Sequence, residues 1–165
     1  WKFGEFNPDN LQTSAGMDFG FSVDPDTITE VAIDKKKKII YLKELLYKNG
    51  LKTDELVKIV LDRVGDKLII ADSAEPRLIA DLKSKGINIK AVKKGTIESG
   101  ITMMLDYEII LEHNSSNIAK ELNNYVYSDK NSKLYVDDWN HAIDGSRYNI
   151  IYHLDNPNKG IYNIR

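Results

Sequence analysis

Three aspartates stand where a carboxylate is either unusual or well placed to meet others. Asp18 interrupts an apolar run at positions 16–20, Asp72 ends an apolar run, and Asp144 lies in a helix-like segment. Carboxylates gathered in a low dielectric repel one another, and Mg²⁺ or Mn²⁺ removes that repulsion by taking hard oxygen ligands. Two such ions, roughly 3.5–4 Å apart, cleave phosphodiesters. We therefore predict that Asp18, Asp72 and Asp144 together hold two divalent cations that catalyse phosphodiester hydrolysis.

Each aspartate has a simpler explanation when it is taken alone. Asp72 at a strand end is typical of a helix cap or a turn, and Asp144 of a solvated helix position. Asp18 is harder to explain in this way, because Asp is depleted in strands. We base the prediction on the three together.

Other polar residues add to the candidate site. His141 lies three residues before Asp144, so the two share a helix face. It is a candidate to orient water, bind metal or carry a proton, and equally a helix-packing or surface histidine. Glu75 and Asp138 are secondary candidate ligands, although each more simply favours the N-terminus of a helix.

Lysines provide the candidate contacts to DNA. Lys90, Lys93 and Lys94 lie at the end of a predicted strand, where ligands of α/β sheets tend to bind, and are predicted to contact phosphates. The run at positions 35–38 more simply solvates a hairpin turn. The net charge is −2, so any DNA contact must come from a local patch.

Composition excludes several classes of protein. The 165 residues suffice for one domain, and 42% hydrophobic with 29% charged residues is typical of a globular fold rather than disorder. The absence of cysteine excludes disulfides, thiolate zinc sites and cysteine nucleophiles, and fits a reducing cytoplasm. No apolar run approaches the roughly 20 residues that span a bilayer, and we expect no membrane partner.

The segments that must position these residues alternate between strand-like and helix-like patterns. We predict strands at 14–21, 29–34, 39–47 and 67–71 and through 87–91, with helices from 53, from 73 to 86, from 96, at 116–124 and at 138–154. A short extra strand is predicted at 107–111 and a hairpin at 125–136. The first three strands form an antiparallel meander, because their connections are too short for crossovers. The order predicts an α/β, ribonuclease-H-like fold: a mixed five-stranded sheet flanked by helices, with an accessory β-hairpin.

Four segments resemble, in order, those of phage terminase large-subunit nuclease domains. They are 16–20 with 24–25, 71–76, 94–101, and 121–125 followed by 137–148, and the resemblance covers about 14–148. The most specific is His-Ala-Ile-Asp followed by Arg-Tyr. Gly145 stands where the family often has alanine.

The resemblance implies a two-metal endonuclease that cuts concatemeric double-stranded phage DNA during packaging. Asp18, Asp72 and Asp144 match the family's metal-binding acids, and His141 matches a histidine near the metals. The hairpin resembles one thought to regulate DNA access. Portal protein, small terminase and an ATPase domain are the implied partners, in the cytoplasm of an infected bacterium.

The chain lacks the Gly-x-x-x-x-Gly-Lys-Ser/Thr run of a phosphate-binding loop, so it is not the ATPase motor. We expect a single nuclease domain over 1–165, with its core at about 14–154 and the motor absent. Two other functions remain open. One is a Holliday-junction-resolvase-like nuclease, which would prefer branched DNA. The other is a non-catalytic packaging adaptor that docks on portal protein or DNA.

Overall fold

The computed structural model describes residues 1–93, 95–125 and 139–155, which hold seven strands and five helices. The strands are β1 (Lys2–Gly4), β2 (Thr13–Asp18), β3 (Pro25–Asp34), β4 (Ile39–Asn49), β5 (Ile69–Asp72), β6 (Ile89–Val92) and β7 (Glu108–Glu112). The helices are α1 (Thr53–Arg63), α2 (Pro76–Ser84), α3 (Ile97–Leu105), α4 (Ser116–Asn124) and α5 (His141–Leu154). None of the helices in these ranges is long and apolar enough to cross a membrane.

All the strands belong to one mixed sheet in the order β1-β7-β4-β3-β2-β5-β6. Strands β2, β3 and β4 form the predicted antiparallel meander, and β5 and β6 continue from β2 in parallel. The predicted count of five strands is wrong, because β7 pairs with β4 and β1 pairs with β7. The strand predicted at 107–111 is confirmed as β7. Strand β1 has only three residues, too few for an alternating pattern to be recognised.

Alternation along the strands divides the core between the two faces of the sheet. Ala15, Met17 and Ile28 point to one face, where α1 and α2 cover them. Val31, Ile40 and Leu42 point to the other, which α3, α4 and α5 cover. Because side chains alternate along a strand, Ser14, Gly16 and Asp18 of β2 face α5. The sheet therefore presents Asp18 to the helix that carries Asp144.

Several predicted boundaries move by a few residues. Strand β2 ends at Asp18, not at 21, because the backbone N–H of Gly20 donates to Asp26 Oδ1 (3.0 Å) and turns the chain. Strand β3 begins earlier than predicted, at Pro25, and α2 begins at Pro76 rather than at 73. Helix α5 begins at His141 rather than at 138. The predicted hairpin at 125–136 lies, beyond Tyr125, outside the described residues.

Candidate active site

Helix α5 crosses β2 at a point where the helix and the strand each carry a glycine. Gly16 on β2 lies directly against the backbone of Gly145 on α5. A β-carbon on Gly145 would in turn lie 3.2 Å from the backbone nitrogen of Asp18. The close approach brings the first turn of α5, with His141 and Asp144, against the end of β2. Gly145, where the resembled family often has alanine, thus lies at the point of closest contact.

Asp18 and Asp72 end two neighbouring parallel strands. The register pairs Met17 of β2 with Ala71 of β5, so the two aspartates follow at equivalent positions on the same edge. Burial raises the pKa of the Asp18 carboxyl. The hydrogen bond with His141 opposes this rise, and the negative charges of Asp144 and Asp72 add to it. The charges of both carboxylates therefore act on Asp18 across this edge of the sheet.

Asp144 is held by two residues that follow it on α5. Arg147 donates to its Oδ1 from Nη2 (3.0 Å) and from Nε (3.3 Å). The Tyr148 hydroxyl donates to Oδ2 at 3.4 Å. Burial, followed by the charges of Asp144 and Asp18, raises the pKa of this phenol. The buried Arg147 side chain therefore balances part of the negative charge and fixes the orientation of Asp144.

His141 lies between two carboxylates. Its Nδ1 is 3.5 Å from Asp18 Oδ2, and its Nε2 is 3.7 Å from Asp24 Oδ1. The hydrogen bond with Asp18 raises the pKa of the imidazole, burial opposes the rise, and the charges of Asp24 and Glu121 add to it. An imidazolium, which carries an N–H on each ring nitrogen, fits a position between two carboxylates. Asp24, which was not among the predicted site residues, thus faces the site.

The donor set fits a hard divalent cation. Three carboxylates from separate segments supply oxygen ligands of the kind that Mg²⁺ and Mn²⁺ prefer, and their mutual repulsion is the situation that such an ion relieves. Within the described residues, no three acidic or histidine side chains are already arranged around one point as metal ligands. Arg147 on Asp144 and His141 on Asp18 provide the compensating contacts instead.

The remaining candidates lie at the margin of this group or outside the described residues. Glu75 is the exposed N-cap residue of α2. Lys93 is exposed directly after β6. The ammonium of Lys90 is 5.2 Å from the centre of the Tyr152 ring and 3.4 Å from its hydroxyl oxygen. Asp138 and Lys94 fall outside the described ranges.

One buried acid, Glu121 of α4, was not among the predicted site residues. Its carboxylate accepts hydrogen bonds from the backbone N–H groups of Ala142 and Ile143 in the first turn of α5. Burial raises its pKa, and those two N–H groups and the Tyr47 hydroxyl oppose the rise. The sequence offered one signal for it, a glutamate on the apolar face of a short helix.

Comparison with known proteins gives the family. The family model described as "Terminase RNAseH like domain" matches residues 18–151. This chain belongs to that family. The match confirms both the resemblance and the predicted ribonuclease-H-like fold, and it spans Asp18, Asp72 and Asp144.

Two relatives of this terminase domain are large-subunit proteins. The terminase large subunit of Bacillus phage SPP1 is 37% identical over 161 residues, which cover 85% of this chain and 35% of that protein. The PBSX phage terminase large subunit of Bacillus subtilis (strain 168) is 27% identical over 129 residues, covering 75% of this chain and 30% of that protein. The chain therefore spans about a third of the length of these relatives.

Solved structures agree with the terminase assignment. The large terminase nuclease domain of bacteriophage SPP1, with bound Mn, superposes with a TM-score of 0.75 at 34% identity and covers 83% of this chain and 84% of that one. The P22 large terminase nuclease domain gives a TM-score of 0.77 at 18% identity, covering 93% and 87%, and supports the fold alone.

Proposed function

We propose that this terminase domain is a divalent-metal-dependent endonuclease that cuts concatemeric double-stranded DNA during phage genome packaging. The proposal is supported by Asp18 and Asp72, which end neighbouring parallel strands, and by Asp144 in the first turn of α5, which packs against β2. The similar SPP1 domain, named as a nuclease and solved with bound Mn, supports the same chemistry. Other ribonuclease-H-like nucleases share such chemistry, but the family match favours the terminase role over a junction resolvase.

We assign the metal-binding role to the three aspartates. Asp18, Asp72 and Asp144 hold Mg²⁺ or Mn²⁺, two ions in the active state, with Glu75 and Asp138 as secondary candidates. The bound ions supply an activated water and stabilise the leaving oxygen of the phosphodiester. Arg147 donates to one oxygen of Asp144 and so holds that carboxylate in a fixed orientation.

His141 orients Asp18 and holds a proton beside the reacting phosphate. Its Nδ1 points to Asp18 and its Nε2 to Asp24, so the ring is fixed from both sides. Lys90, Lys93 and Lys94 are proposed to contact the DNA backbone, where each cation releases counterions from the duplex.

The proposed setting follows from the large-subunit relatives. We propose that the chain acts as a single nuclease domain beside an ATPase domain, with portal protein and small terminase as partners, in the cytoplasm of the infected bacterium. Because the missing partners would normally hold the DNA in place, we expect weak cutting by the isolated domain, with little sequence preference.

The decisive experiment is a supercoiled-plasmid cleavage assay with Mn²⁺, Mg²⁺ or excess EDTA. We expect nicking and linearisation with either ion, none with EDTA, and none with Asp18→Asn. Asp62→Asn on the exposed surface of α1 is the matched control and should cut like wild type. Cutting by a clean Asp18→Asn preparation would exclude Asp18 as an essential ligand.

Two further measurements separate the alternatives. A marked preference for four-way junctions over linear duplex would favour a resolvase-like nuclease. Calorimetry that finds no Mn²⁺ binding at millimolar concentration would favour a non-catalytic packaging adaptor.

A further inference from the structure

Helix α5 carries both His141 and Asp144 in its first turn, yet it lacks a cap of its own. The side chain of the N-cap residue Asn140 does not cap the first turn. The first N–H groups of a helix have no partner within the helix, and leaving them unsatisfied in a buried place is costly. The side chain that satisfies two of them must therefore come from elsewhere in the fold.

That side chain is Glu121, near the end of α4. Its Oε1 accepts from the N–H of Ala142 (3.2 Å) and its Oε2 from the N–H of Ile143 (2.9 Å). The carboxylate is 0% exposed, so water cannot replace either bond. A negative charge at this end of a helix is also favoured by the helix dipole. The two bonds hold the first turn of α5 at Ala142 and Ile143, the two residues between His141 and Asp144.

The same arrangement occurs one step earlier in the chain. Glu44 of β4 accepts from the N–H groups of Asn117 (3.0 Å) and Ile118 (3.1 Å) in the first turn of α4. Glu44 thus caps α4, and Glu121 of α4 caps α5. The Tyr47 hydroxyl, three residues after Glu44, lies close enough to the Glu121 carboxylate to lower the pKa of Glu121. The two glutamates thus accept from the second and third N–H groups of their respective helices.

We propose that Glu121, oriented by Tyr47, is a positioning residue for the metal centre: by capping α5 from α4 it sets the placement of His141 and Asp144 relative to Asp18. This proposal rests on the proposed nuclease function for its catalytic consequence. Its effect on metal affinity is independent of cleavage. Glu44 makes the same type of cap on a helix without candidate metal ligands, so it distinguishes positioning from stability.

The test uses Glu121→Gln, Tyr47→Phe and Glu44→Gln in the whole chain. A glutamine at 121 has one acceptor oxygen, and its NH₂ group faces a backbone N–H, so at least one cap is lost. We expect Glu121→Gln to weaken Mn²⁺ binding in calorimetry about fivefold or more and to lower kcat about tenfold or more, with KM for DNA within about twofold. Tyr47→Phe should reduce kcat about threefold. Glu44→Gln should lower the melting temperature but keep the Mn²⁺ Kd and kcat within about twofold of wild type.

Three outcomes would overturn the proposal. The first is a folded Glu121→Gln variant with wild-type Mn²⁺ affinity and kcat. The second is a Glu44→Gln variant that loses Mn²⁺ affinity and kcat as strongly as Glu121→Gln does. If Glu121→Gln does not fold, the Tyr47→Phe variant tests the proposal in its place. The third outcome is then a Tyr47→Phe variant with wild-type Mn²⁺ affinity and kcat. Wild-type protein that binds Mn²⁺ but cuts no DNA would contradict the nuclease function, while the Mn²⁺ affinities of the variants would still test Glu121.

Discussion

The carbonyl oxygen of Gly145 occupies the place that a side chain on Gly16 would need: a β-carbon on Gly16 would lie 2.0 Å from it. The neighbouring carbonyl carbon would be 2.5 Å away, so the conflict is with backbone that only a shift of α5 can relieve. Because Asp18 lies two residues after Gly16, and Asp144 one residue before Gly145, such a shift would separate the two carboxylates. The glycine pair thus links helix packing to the candidate metal centre.

We therefore expect Gly16→Ala to impair both stability and metal binding. Overpacking of this kind destabilises by about 1–3 kcal/mol, and contact with backbone favours the upper end. Chemical denaturation should show the loss, and calorimetry should show weaker Mn²⁺ binding. Gly145→Ala is the matched control. Its β-carbon would meet backbone atoms at 3.2 Å, a smaller conflict, which the gain in helix propensity of about 1 kcal/mol offsets. Equal effects from the two variants would contradict this account.

The second prediction concerns Asp18 and pH in the absence of metal. Burial raises the pKa of Asp18 above its ordinary value of 3.8, with the charges of Asp144 and Asp72 adding to the rise. A carboxyl whose pKa is raised by folding is more stable protonated, so its contribution to stability is fully present below 3.8 and is lost as pH rises through the folded pKa. Asparagine at position 18 does not ionise, so Asp18→Asn removes this loss of stability at high pH. The metal-free variant should therefore melt at a higher temperature than wild type at pH 8, and the gap should narrow as pH falls toward 4.

Metal should reverse that order. Mn²⁺ binds the ionised carboxylate, so saturating Mn²⁺ at pH 8 should raise the melting temperature of wild type and leave Asp18→Asn little changed. The apparent Mn²⁺ affinity of wild type should fall as pH is lowered through the raised pKa of Asp18. A metal-free Asp18→Asn variant that melts below wild type at pH 8 would show that Asp18 is not electrostatically strained.

The third prediction concerns the ion pair between Arg147 and Asp144. The Arg147 side chain is 1% exposed, and its stem fills the space over Gly100, where a β-carbon would lie 2.5 Å from its Cγ. Removing one member of a buried pair leaves the other charge without compensation, which costs about 3–5 kcal/mol. We expect Arg147→Met to destabilise by about 3 kcal/mol in urea denaturation. Asp144 is partly exposed, so water offsets some of this cost.

A double-mutant cycle measures the coupling directly. Arg147→Met and Asp144→Asn together should cost less than the sum of the two single changes, with a coupling energy on the order of 1–3 kcal/mol. Arg63→Met on the exposed surface of α1 is the control. Its change in the free energy of unfolding should add to that of Asp144→Asn. A coupling near zero for the Arg147 cycle would mean that the contact does not stabilise the fold.

The placement of Asp18 and Asp72 on neighbouring strands was predictable, because it depends on local patterns and strand order. The apolar runs identify β2 and β5, although the first predicted strand continued past Asp18, and the order of elements makes those strands neighbours. The contacts of Asp24 and Glu121 were not predictable in the same way. They depend on how far α5 lies along β2, which the Gly16–Gly145 contact sets across about 130 residues of sequence. Arg147 belongs to the His-Ala-Ile-Asp and Arg-Tyr motif, but its burial also depends on that docking.

The last prediction concerns DNA contacts at the end of β6. Lys93 is exposed, and Lys90, also exposed, lies against Tyr152 on the same face of the sheet as α5. The plot of log K against log salt has a negative slope, and each phosphate contact makes it steeper by about 0.9. The test measures duplex binding by fluorescence anisotropy in the cleavage-deficient Asp18→Asn background. The slope should become less steep by about one for Lys93→Ala and by about two for the double variant Lys90→Ala with Lys93→Ala. Lys58→Ala, on α1 at the opposite face of the sheet, should leave the slope unchanged. An unchanged slope in the double variant would place the DNA on another surface of the domain.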